Sequence, residues 1–214
     1  MTEPARSGLL ITLEGVEGCG KTTQLRLLHA RLEANGFRAI ESTTSIGSQI
    51  RQIMLDPHNR EMTATTELML MVAAQAQAAA EIIVSALERG EIVLSDRFTD
   101  STLAYQGEAR GLGFDMVRDV QRLALGSLVP DLTICVMIDI ETGLGRAARR
   151  NQDAREARID EEPLEFHQRV EAGYRKIAAL EPERFRMIDG TGEPAQVAER
   201  VWAEVSRVLA DNKD

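Results

Sequence analysis

A parallel β-sheet covered by helices on both faces is the fold class this chain predicts, and three observations predict it. Short β-rich runs alternate with helical patterns along the sequence. The helical stretches carry apolar residues at a spacing of three to four. The chain has 214 residues, 43% hydrophobic and 28% charged, which suits one compact domain with a real core. The elements follow in order. Leu9–Leu13 is the first strand, and Thr22–Asn35 is a helix closed by Gly36. Phe37–Glu41 is the second strand. Thr65–Arg89 is a long helix that Gly90 ends, and Glu91–Ser95 is the third strand. Asp115–Leu128 is helical and runs up to Pro130, before a fourth strand at Leu132–Ile138. Leu164–Leu180 carries Phe166, Val170, Tyr174 and Ile177 on one helical face. Phe185–Ile188 is the fifth strand, and Val197, Val201, Val205 and Val208 mark the last helix. Only Arg146–Asp160 breaks the pattern, being crowded with charge and poor in apolar residues. The expected organisation is therefore a single α/β domain over residues 1–214 with a short charged lid at about 146–160.

Composition narrows the function classes. Acidic residues outnumber basic ones, 34 to 25, for a net charge of −9. A broad nucleic-acid surface needs the opposite balance, so any anion site must be a local concentration of Arg and Lys. No run approaches the 18 consecutive apolar residues of a membrane span. The opening MTEPARSG lacks the apolar stretch of a signal peptide. The two cysteines, Cys19 and Cys135, fall in a glycine-rich loop and a buried strand, where neither suits a disulfide or a metal cluster. These features describe a reduced, cytoplasmic protein.

The most specific signal is the segment Gly15-Val-Glu-Gly-Cys-Gly-Lys21-Thr22, a G-x-x-x-x-G-K-[ST] phosphate cradle between a strand and a helix. Gly15, Gly18 and Gly20 let successive backbone N–H groups turn inward, which a Cβ would resist. The following helix aims its positive end at the phosphates. Lys21 adds a cation for the outer phosphates, and Thr22 offers a hydroxyl to Mg²⁺. Glu17, Cys19 and Thr23 complete the triphosphate-binding set. The bland alternative is a glycine-rich turn with no ligand.

A second cluster lies at the end of the third strand, Val93-Leu94-Ser95-Asp96-Arg97-Phe98. A strand that delivers an Asp to its C-terminal edge sets it beside the phosphate loop, because ligands gather at that edge. Asp96 can hold Mg²⁺ or its water shell, and Arg97 can take a second anion bidentately. Downstream, Ser101, Tyr105 and Gln106 offer a hydroxyl, a ring and an amide, suited to a sugar and a base.

Together these residues resemble the thymidylate (dTMP) kinases. The resemblance runs through LEGVEGCGKTTQ, LSDRFTDSTLAYQG, LVPDLTICVMID, RID and EFHQRVEAGY. It implies the P-loop NTPase fold with a five-stranded parallel sheet. It also implies a homodimer that moves the γ-phosphoryl group of ATP onto dTMP with Mg²⁺, giving dTDP and ADP in dTTP biosynthesis. On matching positions, Lys21 and Thr22 serve ATP and the metal, Arg97 holds the acceptor phosphate, Glu17 sits near the acceptor sugar, and Tyr105 packs on the deoxyribose. Some members carry a catalytic Arg in the phosphate loop where this chain has Gly18, so the lid must supply that cation. Arg146, Arg149, Arg150, Arg155 and Arg158 are the candidates, and Arg149 and Arg158 match best.

Three departures fall on the acceptor side. The family's Arg-Glu-Pro-Gly-Gly-Thr loop is replaced by Ile40-Glu-Ser-Thr-Thr-Ser-Ile46, a shortened segment without its Arg and Pro. Met71 stands where an aromatic stacks on thymine, and Ala74-Gln75 stands where an Asp-Arg pair is expected. Met71 and Gln75 share a helix face, so both are expected to touch the base. The alternatives are a stripe packed on the sheet, a kinase for another deoxynucleotide such as dUMP, or a nucleotide-binding paralogue without activity. The tail Asn212-Lys213-Asp214 resembles a guanine-reading motif only superficially. His29 and His167 lie on helices and are expected at the surface, and neither they nor His58 are needed for the chemistry.

Overall fold

The computed structural model describes residues 8–150 and 158–211. Its sheet has five parallel strands in the order β2-β3-β1-β4-β5, formed by β1 Leu9–Gly15, β2 Ala39–Glu41, β3 Ile92–Asp96, β4 Leu132–Met137 and β5 Phe185–Asp189. Each expected strand is present, with ends shifted by one or two residues. β1 lies between β3 and β4, with Leu13 opposite Asp96 on one side and Gly15 opposite Val136 on the other. That register brings the phosphate loop and Asp96 to the same C-terminal edge.

Helices cover both faces. On one side α1 (Lys21–Ala34) and α9 (Pro194–Asp211) pack on Leu9, Ile11 and Leu13. On the other, alternate β1 residues Leu10, Thr12 and Glu14 point away from that layer, and two of them are polar yet fully buried. Thr12 meets Thr133 of β4 hydroxyl to hydroxyl at 2.9 Å. The residues facing this second layer come from α3 (Ala64–Ala78), α5 (Thr99–Thr102), α6 (Phe114–Leu125) and α8 (Leu164–Leu180). The expected long helix is continuous from Ala64 to Glu88, α3 passing through a π-helical turn at Ala79–Ile83 into α4 (Val84–Glu88). A second π turn, Leu103–Ala109, follows α5 and carries Tyr105 and Gln106. Such turns have no signature in apolar periodicity and often occur at functional sites.

Three expectations need correction. The segment read as a shortened loop starts α2 (Ser45–Leu55), with Thr44 as its cap accepting from the Gly47 N–H at 2.9 Å. The charged stretch from Arg146 begins inside α7 (Ile140–Arg150), whose Ala147 is buried. Residues 151–157 of the expected lid, Arg155 among them, lie outside the described residues, as do Asn212, Lys213 and Asp214. Finally, His167 is not at the surface. It is 2% exposed and edge-on to Phe166, because α8 turns that face toward the site. Cys19 and Cys135 are both free and buried, as expected.

Candidate active site

The phosphate loop has the backbone its glycines call for. Gly15, Gly18 and Gly20 adopt φ of 139°, 66° and 96°. A Cβ on Gly18 would run into the Gly143 carbonyl, and one on Gly143 into the Glu17 carbonyl, so the loop and α7 touch backbone to backbone. This contact leaves no room for a side chain at position 18. Lys21 is buried and donates to the carbonyls of Gly15 (3.2 Å) and Val16 (2.9 Å), with Cys19 Sγ at 3.6 Å. The Thr23 N–H bonds the Gly20 carbonyl at 3.0 Å and closes the loop onto the first turn of α1. Thr22 Oγ1 donates to Asp96 Oδ2 at 2.7 Å across the sheet edge, and both side chains are exposed. Two hard oxygen donors side by side beside a phosphate cradle fit Mg²⁺, which keeps water and substrate oxygens as its other ligands. No group of three or more His, Cys, Asp or Glu suited to a metal occurs among the described residues.

Arg97 is the hub of the edge. It has φ 69°, the left-handed region, and is the one non-glycine residue there among those described. Nη1 donates to Ser101 Oγ (3.0 Å) and Tyr174 Oη (2.9 Å), and Nη2 donates to Glu17 Oε1 (3.0 Å) and Tyr105 Oη (2.9 Å). The Tyr105 hydroxyl in turn donates to Glu17 at 2.6 Å. What holds this turn is Glu14. Its carboxyl accepts from the Phe98 N–H (2.8 Å), the Ser101 N–H (3.3 Å), the Ser101 hydroxyl and the Tyr174 hydroxyl (3.1 Å). Burial pushes Glu14 up to about 7 against the pull of Arg97. Burial would also raise Glu17, but Arg97, Lys21 and the Tyr105 hydrogen bond bring it down to about 2. Glu17 is therefore ionised beside Arg97 at neutral pH.

Across from Arg97 lie two connected clefts. One is lined by Thr44, Arg51, Met71, Ala74 and Gln75 along with Asp96 and Arg97, and the other by Glu17, Arg51, Met71, Tyr105, Gln106 and Asp160. Gln75 is 5% exposed, and its Nε2 donates to the Phe98 carbonyl (3.0 Å) and Thr102 Oγ1 (2.7 Å). Its Oε1 has no hydrogen-bond partner among the described residues.

A model of the thymidylate kinase family matches residues 13–201. The thymidylate kinase of Citrifermentans bemidjiense is 47% identical over 196 residues, covering 88% of this chain and 87% of that protein. Those of Pelobacter propionicus and Bacillus pumilus are each 44% identical, covering 96% of this chain and 97% and 96% of theirs. The chain belongs to the thymidylate kinase family. As a member it is a nucleoside monophosphate kinase, a phosphotransferase with an α/β P-loop NTPase fold.

In this thymidylate kinase family member, the Gly15–Thr23 loop meets Asp96 at the sheet edge through Thr22. Glu17, Arg97, Ser101, Tyr105, Gln106 and Met71 line one cleft beside it, and Asp96, Arg97, Met71 and Gln75 line the other. The two lid arginines separate. Arg149 is exposed on α7 and donates to the Gly145 carbonyl of its own helix at 3.1 Å. Arg158 is 6% exposed and is held by Glu67 Oε2 at 2.5 Å and by the Met54 carbonyl, so it is a buried anchor in this conformation. Sequence reading missed Glu14, Glu67 and Tyr174, because each looks like an ordinary residue of a strand or helix face. The cue was a buried-pattern position occupied by a carboxylate, which needs a partner. Arg51 was also passed over, because the segment after β2 reads as a loop and not as the helix that brings it to the clefts.

Proposed function

We propose that this chain transfers the γ-phosphoryl group of ATP to the phosphate of dTMP, as a single domain whose 146–160 segment serves as lid. The observation that carries the reading is Arg97, held by Glu17, Tyr105, Ser101 and Tyr174 next to the Thr22–Asp96 pair. A guanidinium so fixed sets its positive charge a short way from the first phosphate site, with its four Nη N–H groups held by those partners until a second phosphate exchanges for them. The loop N–H groups and Lys21 bind the donor phosphates. Thr22 and Asp96 would hold Mg²⁺, which would supply neutralisation of the phosphate charge. The acceptor phosphate oxygen is already anionic, so no strong base is required. With Gly18 packed backbone to backbone on Gly143, the cation for the transferring group comes from α7 and the lid, and Arg146 and Arg149 are the exposed candidates on the described part of α7. Glu17, fixed by Tyr105, orients the sugar end of the acceptor.

The same proposal includes a homodimer and a cytoplasmic location. Helix 64–88 has a mean hydropathy of 1.6 in its most apolar 18-residue window, of which 33% is buried, and it exposes Met69 and Val84. Length and composition would allow that helix to cross a membrane. However, its Glu67 and Gln75 are buried in hydrogen bonds to the rest of the fold. A second copy would cover the outer face. The decisive experiment is an acceptor panel of dTMP, dUMP, dCMP, dGMP and dAMP with Mg-ATP, read as ADP release. Release that depends on dTMP above the others supports the proposal, and ATP binding with no acceptor effect would refute it.

A further inference from the structure

Glu67 on α3 is fully buried and lies outside the phosphate chemistry, yet three elements meet on it. Oε1 accepts from Gln106 Nε2 at 2.7 Å and from Arg110 Nε at 3.2 Å. Oε2 accepts from Arg110 Nη2 at 3.2 Å and from Arg158 Nη2 at 2.5 Å. Burial alone would push this carboxyl up, but the two arginines and Gln106 outweigh it and hold it below the usual carboxylate range, ionised at neutral pH. An ionised carboxylate only accepts hydrogen bonds. The Gln106 amide therefore has one allowed orientation, with its NH₂ toward Glu67 and its oxygen turned away. That oxygen is buried, has no partner among the described residues, and belongs to a side chain lining the cleft shared with Arg97, Tyr105 and Met71. A buried, unsatisfied carbonyl beside a ligand cleft asks for a donor from the ligand.

We propose that Glu67 is a positioning residue for base choice. By holding the Gln106 nitrogen on itself, it reserves the Gln106 oxygen as an acceptor beside the cleft, so that the site takes a ring N–H, as at N3 of thymine or uracil, and rejects cytosine, whose N3 is an acceptor. The inference rests on the dTMP reading above. It locates selectivity in an amide whose orientation is set from behind, by a residue that never touches the base.

The test is the ratio of kcat/KM for dCMP to that for dTMP in wild type, Glu67→Gln and Glu67→Asp. In Glu67→Gln the new amide keeps its oxygen for Arg110 Nη2 and Arg158, gives up the bond from Arg110 Nε, and presents NH₂ to Gln106. Gln106 then flips, and its own NH₂ faces the cleft. The expected result is a rise of about tenfold or more in the dCMP to dTMP ratio, with KM for ATP within about twofold of wild type. Glu67→Asp, which still only accepts, keeps the wild-type preference at reduced activity. A purely structural Glu67 would lower both acceptors together, so an unchanged ratio in folded Glu67→Gln overturns the proposal. An inverted preference in Glu67→Asp does the same. Circular dichroism and melting establish that the variants fold. If Glu67→Gln does not, Gln106→Leu removes the amide and leaves the Glu67–Arg110–Arg158 pairs in place. Its dCMP to dTMP ratio must rise by a similar factor, and an unchanged ratio overturns the inference. Wild type active on dTMP with an unmoved ratio sinks only this inference, whereas wild type inactive on every monophosphate sinks the kinase reading with it.

Discussion

Glu14 gives the chain a pH-dependent stability whose sign and size can be worked out. Its carboxyl titrates at about 7 in the fold against 4.5 for the free group, because burial disfavours the charged form. A raised carboxyl pKa means that the neutral form is the better folded one. The stabilising contribution is complete below pH 4.5, declines as pH rises toward 7, and is gone above it. The difference of about 2.5 pH units between 7 and 4.5 corresponds to roughly 3 kcal/mol between the two plateaux. Between pH 5 and pH 8 the expected change is about 2–3 kcal/mol. The groups around Glu14 are Arg97, Asp100, Ser101, the Phe98 N–H, Tyr174 and Cys135, and burial pushes the Tyr174 hydroxyl and the Cys135 thiol well up. Glu14→Gln removes the ionisation and keeps the volume. Urea unfolding at pH 5, 6, 7 and 8 should give a stability difference, variant minus wild type, that climbs by that amount with pH. The offset between the curves also contains the altered bonds to Phe98, Ser101 and Tyr174, so the slope is the informative quantity. His167 contributes equally to both proteins and cancels. Parallel curves across the four pH values would refute the argument that Glu14 is buried with its charge under-compensated.

Other perturbations separate chemistry from scaffolding. Lys21→Ala and Arg97→Ala should each lower kcat/KM by about a hundredfold or more in steady-state assays while the far-ultraviolet spectrum stays unchanged. Gly18→Ala forces φ 66° on a residue with a Cβ aimed at the Gly143 carbonyl. It should cost about 1–3 kcal/mol in denaturant titration and weaken ATP binding measured by calorimetry. Arg149→Ala should lower kcat with the melting temperature unmoved. Arg158→Met leaves the buried Glu67 with only Arg110 as its cation, so unfolding titrations should show a loss of about 3 kcal/mol.

The structure altered the reading of the acceptor side more than that of the donor side. The loop Gly15–Thr22 was legible because its chemistry is local: eight consecutive residues, a strand before and a helix after. The strands and the helices Leu164–Leu180 and Pro194–Asp211 were legible because one face of each is buried by a repeating apolar pattern. Gln75 was expected to touch a base. Packing assigns its nitrogen to Phe98 and Thr102 and leaves only the oxygen. Arg158 was expected among mobile lid cations, and a carboxylate 91 positions away captures it. Nothing in the few residues around either side chain announces those partners.

Sequence alone therefore determined the fold class, the phosphate loop, the Asp96-Arg97 pair and the family. These follow from short-range rules: backbone freedom at glycine, periodic burial, and motif spacing. Tertiary structure decided the left-handed turn at Arg97, the buried carboxyls Glu14 and Glu67 that hold Ser101 and Gln106 at the site, and the partner that each amide nitrogen takes. Those features depend on which donors and acceptors remain once distant elements have packed. A buried polar group takes the partner that packing delivers, because leaving it without one costs more than most single contacts contribute.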